Sequence, residues 1–126
     1  MQTPQHVVSI GLGILGKKEE EILEILGAAL YQYEAQQTCS NLGIFSPTDK
    51  RIKAEEFIKD NFATLRQTIH PKWKDGTREK FEHNTMLFSD FVSDIGDSLG
   101  HSCTFVSLAM IVAALIINKG TDKFCH

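Results

Sequence analysis

The segment 104–117, TFVSLAMIVAALII, constrains the fold more than any other part of this sequence. It contains no charged residue and is apolar on nearly every face of a helix, which is typical of a helix surrounded by other helices. Its 14 residues fall short of the roughly 20 that a bilayer core requires. We therefore expect a buried helix over 98–118 at the centre of a bundle, with a small tail-anchored membrane protein as the alternative.

Three amphipathic helices are predicted upstream of this central helix. Apolar residues recur at spacings of three and four over 17–37 and 50–69, and Pro71 is expected to end the second of these helices. A third helix is predicted over 77–93, with Thr77 as its N-cap. No segment has a strong strand pattern, so we expect an all-α fold.

Length, charge and cysteine content exclude several classes of protein. The 126 residues suit one domain covering 1–126, and the net charge of −3 without long runs of one sign argues against nucleic acid as a partner. The three cysteines have no C-x-x-C spacing, which indicates a reducing compartment and a cytoplasmic location. The N-terminus lacks the features of a signal peptide.

A glycine pattern near the N-terminus, Gly11-x-Gly13-x-x-Gly16, has the written form of a dinucleotide-binding fingerprint. Such a site needs a second parallel strand and an acidic residue about 20 residues further on. The segment 31–37 continues a helix instead, and the loop after it carries no acidic residue. We therefore interpret 1–16 as an apolar, glycine-rich leader that packs on the bundle or on a second copy of the chain.

Catalytic and metal-binding patterns are weak. His101 and Cys103 are two residues apart and point to different sides of a helix, and Cys125 and His126 lie at a chain end. No Ser, His and acid group is connected by a recognisable nucleophile elbow. We therefore expect neither an enzyme nor a cofactor or metal site.

The segment 86–109, MLFSDFVSDIGDSLGHSCTFVSLA, leads through a short turn at 94–97 into the apolar helix. Here the chain resembles the B-cell-lymphoma-2 (Bcl-2) family of apoptosis regulators, in which a helix ending in Phe-Ser-Asp or Phe-Arg-Asp precedes Asn-Trp-Gly-Arg and the buried central helix. Phe88, Ser89 and Asp90 match the helix end, Val92 a hydrophobic spacer position and Gly96 the glycine. The helix order upstream is also similar, and a short, divergent sequence of this kind is most similar to the viral homologues.

The resemblance implies a Bcl-2-like bundle and an anti-apoptotic function. Members of the family bind the amphipathic Bcl-2 homology 3 helix of pro-apoptotic proteins in an apolar groove, which here implies a cytoplasmic protein associated with mitochondria in an infected host cell. Helix-in-groove binding reads apolar anchors at i, i+3, i+4 and i+7. The candidate groove residues are Phe57, Phe62, Leu65, Ile69, Phe81, Leu87, Phe88, Phe91, Val92, Asp94, Ile95, Gly96 and Asp97.

Two departures from the family pattern shape these expectations. Asp97 stands where the family has the arginine that pairs with an aspartate of the ligand. We therefore expect either a narrow range of ligands or a contact from a neighbouring cation, for which Lys53, Lys59 and Arg66 are the candidates. Asp94 and Asp97 also stand three apart, as residues that cap a helix start do. Second, the segment after Gly96 is short compared with the last helices of the family. Either the final apolar run breaks into two short helices or part of the bundle is missing, and missing cover would favour a homodimer.

A different class of protein is the other interpretation of the same apolar surface. An unrelated helical interaction module, such as a phage or bacterial inhibitor, would use that surface for another partner and would leave cell death unaffected.

Overall fold

The computed structural model describes residues 5–38, 43–73, 78–100 and 106–124, and all regular elements in these ranges are helices. The all-α class predicted from the sequence is therefore confirmed for this part of the chain. The helices are α1 (Gln5–Leu15), α2 (Glu19–Thr38), α3 (Pro47–Trp73), α4 (Arg78–Glu82), α5 (Thr85–Leu99), α6 (Val106–Lys119) and α7 (Thr121–Phe124).

Helix α6 lies at the centre of the bundle and contacts α1, α2, α4, α5 and α7. Each residue from 108 to 117 is at most 5% exposed. This burial is what an uncharged helical segment with no polar face requires. The apolar run does not break over 106–117. The predicted start of the central helix at 98 is wrong, because Ser98 and Leu99 belong to α5, and 101–105 lie outside the described residues.

Helix α3 forms an outer layer and packs against α2, α5 and α7. At its start, the Asp49 amide donates to Ser46 Oγ (3.0 Å) and the Ser46 amide donates to Asp49 Oδ2 (3.4 Å). This reciprocal capping satisfies amide groups that have no partner within the helix. The helix also continues through Pro71 to Trp73, so the prediction that Pro71 ends it is wrong. A proline removes one backbone hydrogen bond and strains its turn, and the buried Trp73 side chain beyond it holds the extra turn in place.

The crossing of α2 and α3 is unusually close at Gly27. A Cβ atom at this position would lie 1.9 Å from the carbonyl oxygen of Lys50. Ion pairs between Arg51 and Glu24 (3.3 Å) and between Lys53 and Glu34 join the same two helices. The absence of a side chain at Gly27 is therefore what lets the two backbones meet.

Helix α5 is continuous across the segment that the sequence predicts to be a turn. Residues 94–97 lie inside α5, which ends at Leu99, and the break falls earlier, at His83 and Asn84. Asn84 is the N-cap of α5, because its side chain accepts from the Leu87 amide (3.0 Å). The single helix predicted over 77–93 is therefore two helices, α4 and α5. The turn predicted at 94–97 is wrong.

Residues 5–15 of the glycine-rich leader form helix α1, which packs on the bundle. Gly11 and Gly13 both lie within α1, which contacts α5 and α6. Leu15, at its end, is fully buried. The loop geometry of a dinucleotide fingerprint is therefore not formed at these glycines.

Candidate functional site

Most residues of the groove predicted from the sequence lie in the hydrophobic core. Their side chains have almost no surface to offer a ligand in this structure, since each is at most 1% exposed: Leu65, Ile69, Phe81, Phe88, Phe91, Val92 and Ile95. Phe57, Phe62 and Leu87 are partly buried against this core. Asp94 and Gly96 are half-buried, and Asp97 is exposed. The structure therefore packs these seven apolar candidates into the core.

An aromatic cluster accounts for the burial of two of these residues. The ring of Trp73 lies with its centroid 5.7 Å from Phe81 and 5.1 Å from Phe91, and the Phe81 and Phe91 rings are 5.2 Å apart. Aromatic pairs at these separations contribute favourable contacts beyond their area burial. The cluster fixes the end of α3 against α4 and α5.

The polar edge of this cluster is Asp94. Its Oδ2 atom accepts hydrogen bonds from Trp73 Nε1 (2.8 Å) and Lys72 Nζ (3.1 Å). The interpretation of Asp94 and Asp97 as caps of a helix start is wrong, because both lie in the second half of α5. Asp94 instead joins α5 to the end of α3.

An open concavity lies on the outer surface of α3. It has a volume of about 530 Å³, and the described residues that line it are Phe62, Ala63, Arg66, Gln67, His70 and Pro71. The positions follow i, i+1, i+4, i+5, i+8 and i+9, so they form one stripe along the helix. The stripe lies beside the buried stripe of Leu65, Ile69 and Trp73. It combines an aromatic and two small apolar groups with two basic side chains and one amide.

The three candidate cations differ in their surroundings. Lys53 is engaged by Glu34 and also lies over the Tyr31 ring (5.3 Å). Lys59 is exposed and does not line the concavity. Arg66 is exposed, lines the concavity, and forms no hydrogen bond or ion pair with the residues that the structure describes. Of these three cations, Arg66 is therefore the one that lies at the concavity.

The sequence pattern gives Phe62 and Arg66 as separate candidates, whereas the structure joins them in one stripe. The prediction that Pro71 ends the helix leaves His70 and Pro71 outside it, although both belong to α3. A helical projection carried past Pro71 would have placed 62, 66 and 70 on one line. The sequence pattern therefore fails to give the residue at which α3 ends, and not the kinds of residue that line its surface.

The described residues contain neither a metal-ion cluster nor a membrane-spanning helix. Within 5–38, 43–73, 78–100 and 106–124, no three His, Cys, Asp or Glu side chains are grouped so as to hold a metal ion. The pairs His101 with Cys103 and Cys125 with His126 lie outside the described residues. In the part of the chain that the structure describes, no helix combines the length and the apolar character needed to cross a membrane.

The fold and this surface define an all-α bundle around a buried helix, with a basic and partly apolar concavity on its outermost helix. Comparisons with family models, with curated proteins and with solved structures found no match to this chain.

Proposed function

We propose that this chain is a Bcl-2-like, anti-apoptotic protein. In this proposal it binds and sequesters the amphipathic Bcl-2 homology 3 helix of pro-apoptotic host proteins, and the concavity on α3 is the binding surface. The observation that carries the proposal is that Phe62 lines one concavity together with Arg66, which has no hydrogen-bond or ion-pair partner among the described residues.

The chemistry of the ligand suits these two side chains. The resemblance implies a ligand helix with apolar anchors and an aspartate that needs a cation. Phe62 offers aromatic surface to an anchor, and Arg66 offers a guanidinium to the carboxylate. An exposed ion pair contributes roughly 0.2 to 1 kcal/mol, and a pair that the bound ligand shields from water contributes more. Arg66 thus takes the role that the carboxylate of Asp97 cannot fill.

Peptide binding tests this proposal. Fluorescence anisotropy with a panel of labelled pro-apoptotic helices should give at least one Kd below about 10 μM, which corresponds to roughly −7 kcal/mol. Arg66→Glu should weaken that binding at least about tenfold, equivalent to about 1.4 kcal/mol. The matched control is Lys18→Glu, the same charge change at an exposed residue between α1 and α2. It should leave the Kd within about twofold of the unmodified chain, a range of about 0.4 kcal/mol.

A second step locates the contact on the ligand. Replacing the peptide's aspartate by alanine should weaken binding to the unmodified chain but improve binding to the Arg66→Glu variant, because it removes the repulsion between the two carboxylates and coupled partners are not additive. Kd values above about 10 μM for the whole panel would contradict the proposal. An equal loss of peptide affinity in the two charge variants would contradict it as well.

One observation favours a second candidate, an unrelated helical interaction module. The specific part of the resemblance covers 87–97 and expects a turn before the central helix, whereas α5 continues to Leu99. A module of this kind should bind no pro-apoptotic peptide and should leave cell death unchanged. Survival of cells that express the chain under a mitochondrial death stimulus separates the two, because only the first candidate predicts protection that Arg66→Glu removes.

A further inference from the structure

The outer face of α3 carries exposed side chains at a regular helical spacing. Its members are Glu56, Lys59, Asp60, Ala63, Arg66, Gln67 and His70, and each of them is exposed. Those at 56, 60, 63, 67 and 70 repeat at alternating spacings of four and three, and the other two flank this line. Such positions form one seam along which a second helix can lie. The seam is on the side of α3 away from the buried Leu65 and Ile69, and it extends for about 21 Å at the rise of an α-helix.

Charge divides this outer face into two halves. The half nearer the start of α3 carries Glu56 and Asp60, and the half nearer its end carries Arg66 and His70. None of these side chains forms a hydrogen bond or an ion pair with the residues that the structure describes. Glu56 and Asp60 are also like charges one turn apart, an arrangement that destabilises a helix. The outer face of α3 is therefore acidic at one end and basic at the other, and neither end has an ion-pair partner in the described part of the chain.

A face with this charge pattern is complementary to itself when two copies lie antiparallel. A two-fold axis at Ala63 sets each residue before Ala63 opposite the residue that follows it at the same distance. Asp60 of one copy then faces Arg66 of the other, and Glu56 faces His70. The axis repeats both contacts, as an isologous interface requires. At the centre, the small Ala63 side chain is exposed and allows the two helices to approach closely.

We propose that the outer face of α3 binds a second copy of this chain, and that the two α3 helices form an antiparallel pair centred on Ala63. Charge complementarity selects this arrangement, because a parallel pair would set Asp60 against Asp60 and Arg66 against Arg66. The concavity described above lies in the basic half of the face, so it receives the acidic half of the other copy. Lys59 then faces the side-chain amide of Gln67, whose oxygen can accept a hydrogen bond from the ammonium.

The dimer covers the surface that the proposed function assigns to a pro-apoptotic helix, but it does not depend on that function. The two occupants exclude each other, so dissociation of the dimer makes Arg66 accessible. The interface is small beside the roughly 1,200–2,000 Å² of a standard one, because a helix with its side chains is only about 10 Å wide. Its charges also lie at the protein surface, where salt screens them. We therefore expect a weak dimer, with a Kd in the micromolar range that rises with salt concentration.

Sedimentation velocity of the full chain at low salt, over roughly 5 to 500 μM, measures the Kd of the dimer. Asp60→Arg sets two arginines against each other at both symmetry-related contacts, and Arg66→Asp sets two aspartates against each other. Each variant should raise the dimer Kd at least about tenfold. Glu20→Arg and Lys18→Asp are the matched controls, since they make similar charge changes at exposed positions outside α3. They should leave the Kd within about twofold of the unmodified chain.

Exchanging the two charges separates a lost contact from a misfolded chain. The double variant, Asp60→Arg with Arg66→Asp, rebuilds both contacts with their signs reversed and should return the Kd to within about threefold of the unmodified chain. An equimolar mixture of the two single variants should form a heterodimer, although each alone is largely monomeric. A chain that stays monomeric throughout the range, a dimer that the single variants do not weaken, or a double variant without recovery would overturn the proposal. Peptide binding does not require this dimer, so the peptide titrations and the sedimentation experiment can fail independently.

Discussion

At the scale of single residues, Asp94 shows how a side chain that attracts functional interpretation can be structural. Its carboxylate accepts hydrogen bonds from the indole of Trp73 and the ammonium of Lys72. Lys72 also lies over the Trp73 ring, 5.0 Å from its centroid. The three groups close the edge of the aromatic cluster where α3 meets α5. The Asp94 carboxylate is therefore already hydrogen-bonded within the bundle and has little capacity to bind a ligand.

Replacing Asp94 tests this assignment. Asp94→Ala leaves the largely buried Trp73 Nε1 without its acceptor, and an unsatisfied buried donor costs about 1–3 kcal/mol. Urea unfolding followed by the fluorescence of Trp73, the single tryptophan, should show a loss of this size and a shift of the native emission. Asp97→Ala is the control on the same helix, exposed and without a partner in the described residues. It should change the free energy of unfolding by less than about 0.5 kcal/mol, and equal losses in both variants would contradict the assignment.

At the scale of helices, the crossing of α2 and α3 at Gly27 is a close backbone contact. All three atoms nearest to a Cβ at Gly27 belong to the backbone of Lys50, at 1.9, 2.5 and 2.6 Å. A backbone cannot move aside as a flexible side chain can. Any side chain at Gly27 must therefore push the start of α3 away from α2 and strain the two ion pairs that join these helices.

Gly27→Ala should destabilise the bundle although alanine is the better helix former. Overpacking typically costs about 1–3 kcal/mol, which exceeds the roughly 0.8–1 kcal/mol gained in helix propensity. Gly13→Ala has the same propensity gain with open space around it and should stabilise the chain. Urea unfolding monitored by circular dichroism measures both, and stabilisation by both substitutions would show that the crossing is wider than described.

Some helix bounds follow from the sequence pattern, and others depend on contacts between helices. The amphipathic pattern over 17–37 predicted α2 within two residues of its bounds, Glu19–Thr38. The rule that a proline ends a helix failed at Pro71, because burial of Trp73 outweighs one lost hydrogen bond. The turn predicted at 94–97 failed for a related reason: Asp94 and Ile95 are both held by contacts with other elements, and such contacts leave no local pattern. The stripe on α3 was missed together with the last turn of that helix.

At the scale of the whole molecule, the buried apolar residues form one continuous cluster. It extends from Ile14 in α1 to Phe124 in α7 and includes Trp73 at the end of α3. Helix α6 runs through the middle of this cluster, and the outer helices bury their apolar faces against it or against each other. A small domain with one core of this kind is expected to unfold in a single cooperative transition.

Truncating a residue of α6 tests whether the core behaves as one unit. Ile116 is fully buried, and Ile116→Ala should cost about 2–5 kcal/mol through lost contacts and a residual cavity. The Trp73 fluorescence and the helical circular dichroism signal should shift together to lower urea, although Trp73 lies on a different helix. Met86→Ala removes a side chain that is 76% exposed and should change stability by less than about 0.5 kcal/mol. If the two signals separated in Ile116→Ala, the outer layer of α3 would unfold independently of α6, and a ligand bound on the α3 concavity would then stabilise only that layer.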